Sequence, residues 1–147
     1  MSGGYMGRIL FVNLSQGEIR EEEVEEKLYR DFLGGYGLGA RILYSRQPGG
    51  VDPLGPKNHL GFVTGPLTGI RGLLGSRFTV VGKSPLTGCW GDANAGGYFG
   101  PHLKFSGYDA VFFIAGLLAV ASALWMAAAP EESASCIRRS ADSCWPG

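Results

Sequence analysis

The sequence predicts an α+β domain: short-stranded β-sheets joined by Gly-rich loops, with a few helices. Three observations predict it. Short apolar, β-branched runs such as RILFVNL (8–14), HLGFVT (59–64) and YDAVFFIA (108–115) are bounded by turn residues. Two segments, 24–33 and 38–45, repeat their apolar residues at helical spacing. Glycine contributes 25 of 147 residues, well above the usual share of about 7%. Because glycine costs backbone entropy, a fold keeps this many only where it needs positive φ or close backbone approach.

Arg8 to Leu14 reads as a strand, Ser15-Gln16-Gly17 as a turn, and Glu18 to Glu23 as the returning strand of a hairpin. Val24, Leu28, Phe32 and Leu33 share one helical face, and Gly34-Gly35 stops that helix. Glu21, Glu22, Glu23, Glu25 and Glu26 read as a solvated helix start, where negative charge suits the helix dipole. A second helix is expected over about Leu38 to Ser45, with Ile42 and Leu43 buried. Proline and glycine at 48–56 make an irregular loop before the His59–Thr64 strand. A Gly-rich loop, 65–75, leads into a strand from Arg77 to Gly82, and Lys83 to Gly88 is a turn with Pro85 setting φ. A short segment at Cys89-Trp90 returns toward Asn94, a helix-like stretch runs to about Ser106, and Tyr108 to Ala115 is a buried strand.

Composition excludes several classes of function. Lys+Arg and Asp+Glu balance at 13 each, so no long-range field favours nucleic acid or an anionic membrane. Cys89, Cys136 and Cys144 contain no C-x-x-C pair, which leaves neither a disulfide framework nor a self-contained zinc or iron–sulfur site. No charged segment followed by a long apolar run opens the chain, so the cytoplasm is the default location. His59 and His102 have no second ligand at metal spacing and read as loop or cap residues.

Two motifs fail on context. Gly35 to Ala40 contains G-x-G-x-x-A, but a charged helix precedes it where a dinucleotide-binding turn requires a strand. Gly82-Lys83-Ser84 ends like a phosphate-binding loop, yet the position needing glycine holds Arg77, and Pro85 spoils the following helix. Two signals survive. Arg77 opens a strand after a Gly-rich loop, where its guanidinium could fork onto a phosphate or a ring edge. Asn94 sits at an apparent helix N-cap beside Gly96 and Gly97, a ready anion site. The ordinary alternatives are a surface arginine and a simple cap.

Six segments taken together are more specific: GRILFVNLSQGEI, FLGGYGLGARIL, VDPLGPKNHLGFVTGPLTG, SRFTVVGKSPLTG, NAGGYFG and LKFSGYDAVFF. In this order and spacing, across about residues 5–116, they resemble the N-terminal domain of the aldehyde:ferredoxin oxidoreductase family. The resemblance implies β-sheets forming a cofactor-supporting base under a tungsten (rarely molybdenum) ion held by two pterin dithiolenes. It implies oxidation of an aldehyde to a carboxylic acid, with electrons passing through a [4Fe–4S] cluster to ferredoxin or another electron carrier. Relatives act on other carbonyl or acyl substrates, including aromatic thioesters.

By position, Arg77 matches the family's pterin-contacting arginine. Asn94 matches the asparagine at the magnesium that bridges the pterin phosphates, and Gly96, beside Gly97, falls where backbone contacts the pterin. Tyr36 stands where relatives usually carry arginine, which alters a charge near the cofactor or has no consequence. The cluster cysteines and catalytic groups of the family lie in later domains, so no catalytic or iron–sulfur ligand is assigned here, and the chain alone is expected to be inactive. Family membership also leaves a homo-oligomer open.

Glycine is nearly confined to residues 1–116, with Gly147 as the exception, while alanine becomes frequent afterwards. The expected division is therefore 1–116, a tungstopterin-binding N-terminal domain, and 117–147, a non-family tail arising from a frameshift or truncation. The uncharged run Val111–Ala129 keeps a membrane helix as an alternative, since nineteen helical residues span about 28 Å. Against it, no Lys or Arg flanks the run, so the membrane reading ranks below the frameshift. Two rival functions of different classes are a non-catalytic scaffold subunit that supports the cofactor of a separate chain, and a small membrane-anchored protein.

Overall fold

A computed structural model describes residues 3–70 and 75–115. Six strands and three helices follow the chain: β1 (Arg8–Asn13), β2 (Glu18–Glu23), α1 (Glu26–Phe32), α2 (Gly35–Arg46), β3 (His59–Thr64), β4 (Phe78–Lys83), β5 (Trp90–Ala95), α3 (Phe99–Phe105) and β6 (Ala110–Ile114). The expected α+β class is what the structure shows. One mixed sheet in the order β2-β1-β6-β3-β4-β5 organises it. Only the β1–β6 pair is parallel; every other neighbouring pair is antiparallel.

Alternation along the strands sets the two faces of the sheet. Ile9, Phe11, Val63, Val81 and Phe112 point to one face and are buried there with Tyr29 of α1 and Leu38, Ile42 and Leu43 of α2. Two glycines make this packing possible. A Cβ on Gly39 would come within 2.9 Å of Val81, and one on Gly61 would lie 2.3 Å from the Phe112 ring. Each opens the space that a large neighbour fills. On the other face, α3 sets Phe99 against Phe62 and Phe78, with ring centroids 5.4 and 4.9 Å away.

The buried heart of the molecule is ionic. Asp109, just before β6, accepts hydrogen bonds from the backbone N–H of Met6 (2.9 Å) and Gly7 (2.7 Å) and from the Tyr29 hydroxyl (2.7 Å). Its other oxygen accepts from Lys104 Nζ at 2.5 Å, and the two side chains are 2% and 3% exposed. Lys104 also donates to the Gly4 carbonyl. Burial, and then the hydrogen bond to Asp109, push the Tyr29 phenol well above its usual range. One carboxylate thus ties together the N-terminal segment, α1, α3 and β6.

Several expectations need correction. Asn94 is not a helix N-cap. Residues 90–95 pair with β4 along their whole length, with Asn94 opposite Thr79, and α3 begins only at Phe99 behind Tyr98. The sheet ladder claims the backbone that the cap reading assigned to a helix. His59 is neither loop nor cap but the buried first residue of β3, and His102 lies within α3. Glu21 to Glu23 belong to β2, leaving Glu26 in the first turn of α1. The second helix starts at Gly35 rather than Leu38, because Gly37 and Gly39 permit close contacts that their poor helix propensity would not predict.

Of the apolar run Val111–Ala129, Val111 to Ile114 form part of β6. The remainder, and with it the expected boundary and tail at 117–147, lies outside the described residues. Among the described residues, no helix is long and apolar enough to cross a membrane.

Candidate functional site

A cavity of about 810 Å³ opens on the α1–α2 side of the sheet. One wall is the helix junction Leu33–Gly37, a second is the turn 65–68, and the third is the Arg77, Thr79 and Asn94 ends of β4 and β5. Leu33 makes the junction abrupt. Its φ of 57° and ψ of −65° set a γ-turn closed by Gly34 N–H donating to the Phe32 carbonyl at 2.7 Å. Such a conformation costs a β-carbon-bearing residue about 1–3 kcal/mol and clusters at functional sites. Here it turns the chain so that α2 starts at the cavity, and the first-turn N–H groups of Gly35, Tyr36 and Gly37 have no acceptor within the helix.

Arg77 and Asn94, seventeen residues apart in sequence, meet at the cavity rim. Arg77 Nη1 donates to Asn94 Oδ1 at 2.6 Å, and both side chains are exposed. Asn94 reaches the rim because its register partner Thr79 faces the same side, with Asn94 Nδ2 to Thr79 Oγ1 a marginal 3.5 Å. Gly96 lies beside Ser76, the residue before Arg77, with a Cβ position 3.5 Å from the serine hydroxyl. Gly97 has φ of +102° and open space around it. The structure therefore brings Arg77 and Asn94 into contact and sets Gly96 next to them, while Gly97 bends the chain toward α3.

Tyr36 is 46% exposed and lines the cavity on the α2 side. Thr68 was not singled out from sequence, yet its buried hydroxyl joins two walls of the cavity. A threonine in a Gly-Pro-Leu-Thr-Gly turn carries the composition signal for such a side-chain bond, but not its partner. A second cavity, about 590 Å³, lies between α2 and the β4–β5 turn and is walled by Tyr44, Pro48, Cys89 and Trp90. It lacks the paired polar groups of the first. Among the described residues, no three His, Cys, Asp or Glu side chains converge as metal ligands.

Fold and site define a class: an α+β domain whose helix-bearing sheet face presents an open cavity with a guanidinium and an amide on its rim. The chain matches the family described as aldehyde ferredoxin oxidoreductase, N-terminal domain, over residues 9–127, and it belongs to that family. It is 50% identical over 108 residues to the tungsten-containing aldehyde ferredoxin oxidoreductase of Pyrococcus furiosus and 49% identical to that of Pyrococcus horikoshii. Each alignment covers 74% of this chain and 18% of the relative. A Pyrococcus furiosus protein named aliphatic sulfonate oxidoreductase, WOR-like subunit, is 36% identical over 110 residues. Among solved structures, the active site complex BamBC of benzoyl coenzyme A reductase with 1,5-dienoyl-CoA is similar, with TM-score 0.74 and 34% identity. It matches 78% of this chain and 18% of that one. The chain therefore spans less than a fifth of the length of these relatives.

Proposed function

We propose that this chain forms the cofactor-supporting wall of a tungsten-pterin oxidoreductase that converts aldehydes to carboxylic acids with ferredoxin as electron acceptor. The contact between Arg77 and Asn94 at the rim of the large cavity carries the reading. The residues present fit a broad, flat, anionic group. Leu33, Tyr36 and Leu67, exposed on the cavity walls, give apolar surface for a ring system. The Arg77 guanidinium and the positive end of α2 both favour phosphate.

Asn94 Oδ1 has a second lone pair beyond the one Arg77 uses, which suits a hard magnesium ion beside a phosphate. Gly96 and Gly97 would give the cofactor backbone contacts at the same corner. When bound, the tungsten-pterin supplies the two-electron chemistry, and the residues here bind and orient it. A [4Fe–4S] cluster, the substrate pocket and the ferredoxin contact belong to the remaining four-fifths of a full-length enzyme, so the chain alone is inactive.

The test joins this chain to the remainder of a relative and measures tungsten per chain after growth with tungstate. Arg77→Met removes a charge-assisted bond worth about 1.5–3 kcal/mol, so cofactor affinity should fall at least about tenfold. Full tungsten occupancy at limiting cofactor in the variant refutes the assignment. Metal retained only when a separate catalytic chain is co-expressed with the unfused protein identifies the scaffold form of the same role.

A further inference from the structure

The turn between β3 and β4 contains a hydroxyl whose two bonds both serve the cavity wall. Thr68, 8% exposed, accepts from the Gly65 N–H at 3.1 Å and donates to the Arg77 carbonyl at 2.8 Å. Its methyl half is fixed as well. A Cβ placed on Gly100, in the first turn of α3, would come within 3.1 Å of Thr68 Cγ2 and within 3.5 Å of the Arg77 carbonyl oxygen. With its hydroxyl engaged on both sides, Thr68 has no donor left for a ligand.

Arg77 needs such an anchor. It precedes the β4 ladder, whose register with β3 and β5 starts at Phe78. Asn94, by contrast, is locked within the β5 ladder. Among the described residues, the bond from Thr68 is the one that fixes the Arg77 main chain. A 2.6 Å contact between guanidinium and amide therefore depends on where Thr68 holds the carbonyl one residue outside the sheet.

We propose that Thr68 is a positioning residue of the cofactor corner: its hydroxyl clamps the 65–68 turn to Arg77 and so presets the Arg77–Asn94 pair for phosphate. This rests on the cofactor reading above, and the experiment separates the two. In ¹⁵N-labelled chain, the Asn94 side-chain amide resonance reports the pair, Gly65 amide exchange reports the clamp, and titration with pyrophosphate reports the corner. Thr68→Val keeps the shape and removes the hydroxyl, whereas Thr68→Ser keeps the hydroxyl.

The valine variant should speed Gly65 exchange, shift the Asn94 resonance and weaken pyrophosphate binding about threefold to tenfold, the worth of one neutral hydrogen bond. The serine variant should restore all three to within about twofold. If valine changes only the Gly65 amide, Thr68 merely closes a turn and the proposal falls. If the unaltered chain ignores pyrophosphate while valine still moves the Asn94 resonance, the cofactor reading fails and the coupling stands. Should the valine variant not fold, Gly100→Ala presses a methyl on Thr68 Cγ2. An unmoved Asn94 resonance there overturns the proposal equally.

Discussion

Asp109→Asn isolates the charge at the centre of the fold with almost no change of shape. The carboxylate receives Lys104 Nζ, the Met6 and Gly7 N–H groups and the Tyr29 hydroxyl, all in a site where both charged side chains are at most 3% exposed. Neutralising it leaves the Lys104 ammonium buried beside a neutral amide, a situation that costs about 3–5 kcal/mol. The new amide N–H₂ also faces donors, so at least one hydrogen bond is lost for about 1–3 kcal/mol more where a group is orphaned. Against a total stability of about 5–15 kcal/mol for a domain, this removes a large part or all of it. Lys104→Met should cost less, because the carboxylate keeps three donors. When Lys104→Met and Asp109→Asn are combined, the stranded charge is gone, so the loss should be smaller than the sum of the two singles by about 1 kcal/mol or more. Urea unfolding of the native chain, the two singles and the double, followed by far-ultraviolet circular dichroism, gives all four values. An Asp109→Asn loss below about 1 kcal/mol, or strictly additive singles, would show that this ion pair does not hold the fold.

Two further outcomes follow from buried positions. Gly61→Ala places a methyl 2.3 Å from a Phe112 ring that is itself stacked on Phe11, so overpacking should cost about 1–3 kcal/mol, and an unchanged urea midpoint would contradict the packing described. His59 is buried with Nδ1 unpartnered, and burial, with Arg46 adding to it, lowers its pKa despite an opposing backbone hydrogen bond at Lys57. The unfolded chain therefore takes the proton first as pH falls. This contribution is complete above about pH 6.5 and is lost below it, by up to about 1.4 kcal/mol per pH unit until the folded imidazole also protonates. His59→Leu should lose less stability than the native chain between pH 7 and 5.5, and equal losses would clear His59 of the effect.

Much of the local architecture was legible because it is written locally. The opening hairpin follows from Ser15-Gln16-Gly17 between two strand-like runs, and β3 covers the same residues, His59–Thr64, that the short run after the Pro/Gly loop predicts. What escaped depends on contacts distant in sequence. The segment WGDANA is poor in strand-forming residues and becomes β5 only because β4 pairs with it, which is why Asn94 looked like a cap. Lys104 and Asp109 lie on either side of Ser106-Gly107, and a sequence does not display the burial that makes them partners. Arg77 and Asn94 were recognisable as candidates. Their contact was not, because it requires the β4–β5 register and the Thr68 bond together.

The position of β6 has a consequence for how the protein is made. This strand, at 110–114, inserts between β1 and β3, so the middle of the sheet is filled by the last of the six strands to leave the ribosome. Until then β1–β2 and β3–β4–β5 are two half-sheets, each with a raw hydrogen-bonding margin and with Phe11 or Val63 unburied. A nascent chain in which β5 is complete and β6 is not yet made holds both margins open to neighbouring polypeptides, a condition under which chaperones are needed.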